Sequence, residues 1–267
     1  MEDTTFIKYH KIPYLEVVPE ILDKEVEVFE KLDGGNCHFR KIEGRVRCSN
    51  RANFIDGKGF ERFWFQEFRK WALSNYSLYK IDENHVFYGE WLAKHNIDYD
   101  KEHINKFYLL DVFDLKSGRY INYEGAKELV KKYSLEDVHF LKTIARGKIN
   151  DSALEKLLEK SDYYNGPKEG VVIKDYKNEV FAKKLHKLFA DDRAKIAQGE
   201  ISDYRITKAI RLLEDNGGIP NKDSVVKILY EDIKEELGIE LSKQKIDKRI
   251  TEFIYKKATG DLGKLIE

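Results

Sequence analysis

Glu25-Val26-Glu27-Val28-Phe29-Glu30-Lys31-Leu32-Asp33-Gly34-Gly35-Asn36 is the stretch on which the reading of this chain turns. Its first eight residues alternate charge with bulk, as a strand with one buried face does. Asp33-Gly34-Gly35 then breaks the strand with a normal hairpin turn. As a bare pattern, Lys-x-Asp-Gly is weak evidence of chemistry. Its functional reading is a nucleophilic lysine at a strand end. A lysine attacks phosphorus only as the free amine, so its ordinary pKa of about 10.4 has to be lowered by burial or by a neighbouring cation.

Outward from this stretch, Cys37 to Ile42 and Arg45 to Cys48, joined at Glu43-Gly44, read as a hairpin. Further strands are expected at His85 to Trp91, Phe107 to Leu115, Gly170 to Lys174 and Glu179 to Leu185. Helices are expected at about 59–74, 124–133, 135–145 and 151–160. The texture changes near residue 190. Arg193 to Asp215, Ser224 to Leu237 and Lys245 to Ala258 carry apolar residues at helical spacing. In the second of these, Val225, Val226, Ile228, Leu229, Ile233 and Leu237 form one stripe, and turns at Asn216-Gly217-Gly218 and Gly238 separate the segments.

The chain has 267 residues, with 15 Phe, 16 Tyr and 3 Trp to bury, which argues against disorder. Lys plus Arg and Asp plus Glu each number 48, so a basic nucleic-acid arm or a polybasic membrane tail is not expected. Cys37 and Cys48 are the only cysteines, which excludes a disulfide framework and a cysteine zinc site and fits a reducing compartment. The acidic, polar N-terminus is no signal peptide, and no apolar run approaches a membrane span. The expectation is a cytoplasmic, intracellular protein with no membrane partner.

Four more strings raise the odds of chemistry at Lys31. Phe87-Tyr88-Gly89-Glu90-Trp91 places a carboxylate at a strand end. Leu109-Leu110-Asp111-Val112-Phe113 is an apolar strand with an aromatic near its end. Glu169-Gly170-Val171-Val172-Ile173-Lys174 sets a carboxylate and a lysine at opposite ends of one strand, and Ala182-Lys183-Lys184-Leu185-His186 adds clustered cations. Each alone is more often a strand with solvated ends.

In this order and spacing the strings resemble the ATP-dependent RNA ligases, covalent nucleotidyltransferases, over roughly residues 1–190. The likeness is nearest to the type represented by the second RNA ligase of bacteriophage T4. The resemblance implies an α+β fold: an adenylation domain of antiparallel sheets with flanking helices over 1–190, and a small all-helical domain over 191–267. It implies that Lys31 carries AMP, that Asp33, Gly34 and Lys174 belong to the nucleotide site, and that Glu30 helps recognise adenine. Glu90 resembles the carboxylate that holds the ribose hydroxyls, Phe113 the aromatic that stacks on adenine, and Glu169 the metal carboxylate. Arg51 is similar in placement to the family's essential arginine. Arg51 and Asn36 are the candidates for gripping RNA ends.

The last motif departs from the family pattern of two lysines one residue apart. Lys183 and Lys184 are adjacent here. Counted back from Phe189, Lys183 matches the first lysine, while Lys184, His186 or Lys187 is left for the second. Lys183 and Lys184 are expected to supply charge near the α-phosphate.

The implied reaction joins a 5′-phosphate to a 3′-hydroxyl through lysyl-AMP and RNA-adenylate. ATP and Mg²⁺, with Mn²⁺ as a substitute, are the expected cofactors. The expected partner is RNA, as a nicked duplex or an RNA–DNA hybrid, and the expected state is a monomer. A viral or phage origin and a role in RNA repair fit the resemblance. A DNA ligase or a GTP-using capping guanylyltransferase shares Lys-x-Asp-Gly but continues into a β-rich OB-fold. A non-catalytic RNA-binding derivative is the alternative of another class.

Charge is local. Residues 40–51 carry Arg40, Lys41, Arg45, Arg47 and Arg51 against Glu43 alone, and alternation lets Arg45, Arg47 and Arg51 share a face. A solvated strand face explains this equally well. The seven histidines show no metal-ligand spacing, and Phe63, Trp64, Phe65 and Phe68 read as core.

Overall fold

The strand at 25–32 finds partners on both sides, and the rest of the first unit is built around it. The computed structural model describes residues 6–51, 53–56, 63–93, 97–190, 193–215 and 219–263. The N-terminal pentapeptide, His95, the start of the helix expected at 59–74 and the turn at 216–218 lie outside the described residues. The chain forms two compact units, Met1–Phe189 and Ala190–Glu267.

The first unit is α+β. Its strands are β1 (Val26–Lys31), β2 (Gly35–Ile42), β3 (Arg45–Asn50), β4 (His85–Leu92), β5 (Lys106–Asp114), β6 (Arg119–Ile121), β7 (Val138–Phe140), β8 (Thr143–Gly147), β9 (Gly170–Asp175) and β10 (Val180–Leu185). Its helices are α1 (Phe63–Ser74), α2 (Tyr123–Lys132) and α3 (Asp151–Leu158). One antiparallel sheet runs β10-β9-β1-β8. The other runs β3-β2-β4-β5-β6, with β7 added parallel to β5.

Side-chain alternation sorts these sheets into faces. On β1, Val26 and Val28 enter an apolar cluster with Val171, Ile173, Ala182 and the α3 residues Leu154 and Leu158. Phe29 points the other way and packs with Leu92 and Tyr108 of the six-stranded sheet. Lys31, two residues on, therefore faces that sheet. The far face of the six-stranded sheet is closed by α1, whose Phe65, Phe68 and Ala72 pack on Phe39, Phe87 and Phe107. Phe65 and Phe68 are core, as expected; the side chains of Phe63 and Trp64 lie outside the described residues.

In the first unit one expected element differs. The helix expected at 135–145 is two short strands, β7 and β8. Its apolar residues fit a helical period, but Ser134, just past α2, takes φ +54° and Gly147 follows with φ +96°. Between those stops the segment supplies an edge to each sheet, and pairing with β1 and β5 outweighs local propensity.

The second unit is helical: α4 (Arg193–Gln198), α5 (Asp203–Asp215), α6 (Lys222–Leu237) and α7 (Lys243–Gly263). The single helix expected at 193–215 is divided, because Gly199 takes φ +95°. Asn221 caps α6, accepting from the Ser224 N–H at 2.9 Å, and Gly238 ends it in the left-handed region. Of the expected α6 stripe, Val225, Val226, Leu229, Ile233 and Leu237 are buried, and Arg205 is buried against Asp232 at 2.7 Å.

Candidate functional site

β1 carries Lys31 to the mouth of the space between the two sheets, and the turn after it changes sheet, so β2 begins opposite. Gly34 sits where the chain crosses. Its N–H donates to Glu90 Oε1 at 3.1 Å, and a Cβ there would lie 2.5 Å from the Trp91 carbonyl oxygen. Only glycine fits that approach. The Asp33 N–H donates to the Tyr99 hydroxyl at 2.7 Å. The turn is thus tied at both ends, and Lys31 is held at a fixed height above β4.

Glu169 meets Lys31 head-on. The Lys31 Nζ donates to Oε1 at 2.8 Å and to Oε2 at 2.6 Å. Register explains it: Lys31 pairs with Gly170, so the residue before β9 projects over the end of β1. Gly170 is itself crowded, since a Cβ there would meet the Lys184 carbonyl oxygen at 2.5 Å. Burial pushes the Lys31 amine down, but Glu169, Asp33 and Glu90 outweigh it and hold the amine above the ordinary lysine range. Burial alone thus does not give the lowered lysine expected from the sequence: the three carboxylates favour the ammonium form. Burial pushes Glu90 up to about 7, against the opposing pull of Lys31 and the Gly34 N–H.

Asn36 pairs with Glu90 across β2 and β4 and shares its face. Its Oδ1 is buried without a hydrogen-bond partner. Glu30, alternating with Lys31, turns to the opposite face of the four-stranded sheet. There it accepts from Ser161 Oγ at 2.5 Å and from the Asp162 N–H at 3.2 Å, with Lys168 Nζ at 3.6 Å.

Lys183 and Lys184 part company. Lys183 pairs with Val172, which pairs with Phe29, so it lies on the Lys31 face. Two strands over and two residues along place it about 12 Å from Lys31 between Cα positions. Lys184 lies on the α3 face, where its Nζ binds Asp151 Oδ1 and Glu155 Oε1, each at 2.7 Å. The expectation that Lys184 supplies charge at the phosphate is therefore corrected: adjacent strand residues face opposite ways. The position that shares the Lys183 face, two residues on, is Leu185. His186 is buried beside Glu169, donating its N–H to the Glu169 carbonyl at 2.9 Å, and Lys187 is exposed.

Two further residues stand away from Lys31. Lys174 is four residues along β9 from Gly170, or about 13 Å. Its Nζ is spent on Asp111 Oδ2 at 2.7 Å and the Leu110 carbonyl at 2.8 Å. Phe113 pairs with Val86, four positions along β4 from Glu90, and packs edge-on to Tyr120 with centroids 5.1 Å apart. Both were expected at the nucleotide; the register sets them four residues along their strands from the positions that meet Lys31 and Glu90.

Arg51 follows β3. Burial lowers the His10 imidazole against the pull of Asp111, and Lys174 and Arg51 add to the lowering. Arg47 is drawn to Asp56 and lies 4.1 Å over the Phe54 ring, while Arg45 is exposed. The shared basic face is therefore partly neutralised locally.

The arrangement can hold a hard divalent cation. Glu169 offers two carboxylate oxygens, with Asp33 and Glu90 near enough to act on the same ammonium. Among the described residues no three His, Cys, Asp or Glu side chains form a ready-made cage. One or two carboxylates completed by water and phosphate oxygens is the usual manner of Mg²⁺ binding.

Sequence reasoning missed three participants: Tyr99, which holds the turn, Asp111, which anchors Lys174, and Ser161, which holds Glu30. Asp111 alone left a signal, a carboxylate in an otherwise apolar strand.

A family model described as RNA ligase matches residues 24–196. The chain is similar to solved structures of Naegleria gruberi RNA ligase. An arginine-to-alanine variant with ATP and Mn shares 20% identity at TM-score 0.56, covering 70% of this chain and 58% of that one. A lysine-to-alanine variant with ATP and Mn shares 19% at TM-score 0.57, with coverage of 70% and 58%. A lysine-to-methionine variant with AMP and Mn shares 18% at TM-score 0.54, with coverage of 70% and 57%. This chain thus spans less than three fifths of the length of those proteins. At such identity the likeness is one of fold. No curated protein matches the chain.

Proposed function

The chain belongs to the RNA ligase family, and from that premise we propose that it is an ATP-dependent RNA ligase joining 5′-phosphate and 3′-hydroxyl RNA ends. The first unit performs the adenylation. The observation that supports this reading best is Lys31 held by both oxygens of Glu169, with Glu90 fixed by the Gly34 N–H beside it.

In the first step Lys31 Nζ attacks the α-phosphorus of ATP, a P–N bond forms, and the bond to pyrophosphate breaks. Lys31 must first release to solvent the proton that Glu169 stabilises on it. A divalent cation, Mg²⁺ or Mn²⁺, when bound at Glu169 supplies the charge that neutralises the phosphates. Glu169 then no longer favours the ammonium form. Lys183, on the same face as Lys31, is the cation placed to meet the α-phosphate. Gly34 and Tyr99 fix the height of Lys31, and so contribute positioning, which is most of what phosphoryl transfer requires of a protein.

In the second step AMP passes to an RNA 5′-phosphate. In the third, a 3′-hydroxyl displaces it. Asn36 has an open acceptor on the Glu90 face and can take a donor from the ribose or the RNA end. Glu30, closed in its own hydrogen bonds on the opposite face, reaches adenine only through a change at 161–168.

The finer reading is nick sealing in duplex RNA or an RNA–DNA hybrid during RNA repair, by a monomer in a reducing cell interior, in the manner of the second T4 ligase. The helical second unit favours it over a DNA ligase or a capping enzyme.

The test is covalent labelling. Incubated with ATP labelled at the α-phosphate and Mg²⁺, the denatured protein should retain label; GTP should leave none. Lys31→Ala should lose all label while keeping its fold by circular dichroism. Retained label in that variant would refute the assignment. Nicked duplex should be sealed faster than single strands, and equal rates would reject the nick preference.

A further inference from the structure

The segment ahead of β1 runs over the inner face of both sheets. The Tyr88 hydroxyl donates to the Ile7 carbonyl at 2.9 Å, and the Tyr9 hydroxyl donates to Asp111 Oδ2 at 2.5 Å. The His10 ring packs on Tyr120 and Phe181 with centroids 5.0 and 4.9 Å away. The segment ends at β10: the Lys183 N–H donates to the Pro13 carbonyl at 2.8 Å, and Tyr14 forms a bridge with Lys183. Lys183 Nζ then lies 4.6 Å from the centroid of the Tyr14 ring. Tyr14 and Lys183 are 5% and 7% exposed, so this contact is shielded from water.

We propose that Tyr14 is a positioning residue for Lys183: its ring face seats the ammonium and keeps it on the Lys31 side of the sheet. The inference rests on the reading of Lys183 as the cation that meets the α-phosphate. Lysine has four rotatable bonds and little preferred direction, so charge delivered to one phosphate oxygen needs a seat. A residue two positions along shares the Lys183 face by alternation, and here that position is Leu185, which carries no charge. A cation over a shielded ring is held by the negative quadrupole of the face. The seat is also built before ATP arrives, because Pro13 and Tyr14 are fixed to the backbone of the same lysine.

The experiment measures Lys31 adenylate formation in single turnovers at saturating ATP, with the intact chain. Tyr14→Leu should slow the step about 10-fold with the ATP concentration for half-maximal rate changed less than about 2-fold, the pattern of a lost transition-state contact. Tyr14→Phe, which keeps the ring, should stay within about 2-fold of the parent. Phenylalanines bearing increasing numbers of ring fluorines at position 14 keep the shape and remove the negative face. The rate should fall with each fluorine while the melting temperature holds. A flat series, or Tyr14→Leu at the parent rate, overturns the proposal. Lys183→Ala is the separate control: an unchanged rate there refutes the role of Lys183 itself, whatever the Tyr14 series shows.

Discussion

His38 shows most directly how one side chain carries the cost of its place. It sits in the middle of β2, fully buried, with neither ring nitrogen hydrogen-bonded. Its ring instead packs on Phe6 and Tyr88, each with centroids 5.2 Å away. Burial, helped by Arg40, pushes the imidazole down to about 3. The unfolded chain would titrate near 6.5. The native state therefore binds fewer protons than the unfolded one between those values, and stability falls as pH drops below about 6.5. At pH 5 the loss from His38 alone is about 2 kcal/mol. His38→Phe should flatten the fall in urea-unfolding stability between pH 7 and 5; an unchanged slope would assign the acid sensitivity elsewhere. Lys31 is the opposite case, since its neighbours are acids and its charge is favoured. The role proposed for Lys31 is one the motif already suggests. Its protonation in this arrangement is not legible there, because Glu169 is 138 residues away and meets it only through register.

At the scale of the element, a strand's period of two does the sorting. It places Lys31 and Lys183 on one face, and Glu30 and Lys184 on the other. Lys184 is bound to Asp151 and Glu155, both well exposed, so its ion pairs are worth about 0.5–1 kcal/mol. Lys184→Met should therefore cost little stability and leave label transfer from ATP within about 3-fold of the parent, whereas Lys183→Ala should lower it about 100-fold or more. Equal losses in the two variants would reject the division by face. Periodicity located ten of the first unit's strands or helices where local pattern and pairing agree, such as β1, β4 and α2. It misread 135–145, where apolar spacing suits a helix and only the vacant edges beside β1 and β5 choose a strand. The same limit divides 193–215 at Gly199, which takes φ +95° beside the Lys245 stem.

At the scale of the molecule, the two sheets of the first unit are joined by a buried charge cluster. Lys174 of β9 meets Asp111 of β5, and the hydroxyls of Tyr9 and Tyr176 complete the carboxylate. Burial pushes Lys174 down, and Asp111 opposes it. The rings of Phe29 and Phe181 lie 5.1 and 5.4 Å from the ammonium. Removing one partner leaves the other charged and dry, at a cost of about 3–5 kcal/mol. Lys174→Met should thus lower the melting temperature of the first unit sharply. Adding Asp111→Leu should restore much of the loss, since the charge left without a counterpart is then gone. A double variant as unstable as the single one would show that the cluster is not a coupled pair. Whole-chain neutrality also takes on meaning here: Glu169 with Lys31, and Asp111 with Lys174, cancel in any sum while acting at single atoms.

Local sequence determined the strands that alternate, the helices of the tail and the turn at Asp33-Gly34, because those depend on residues within a few positions of one another. It also determined that a lysine followed by that turn would stand at a strand end. Tertiary structure alone decided which carboxylate that lysine meets, which of two adjacent lysines shares its face, and that Lys174 and Phe113 lie about four residues' length from Lys31 and Glu90. The physical reason is register. A pairing between distant strands fixes position to one residue, and a shift of one would turn every side chain to the other face.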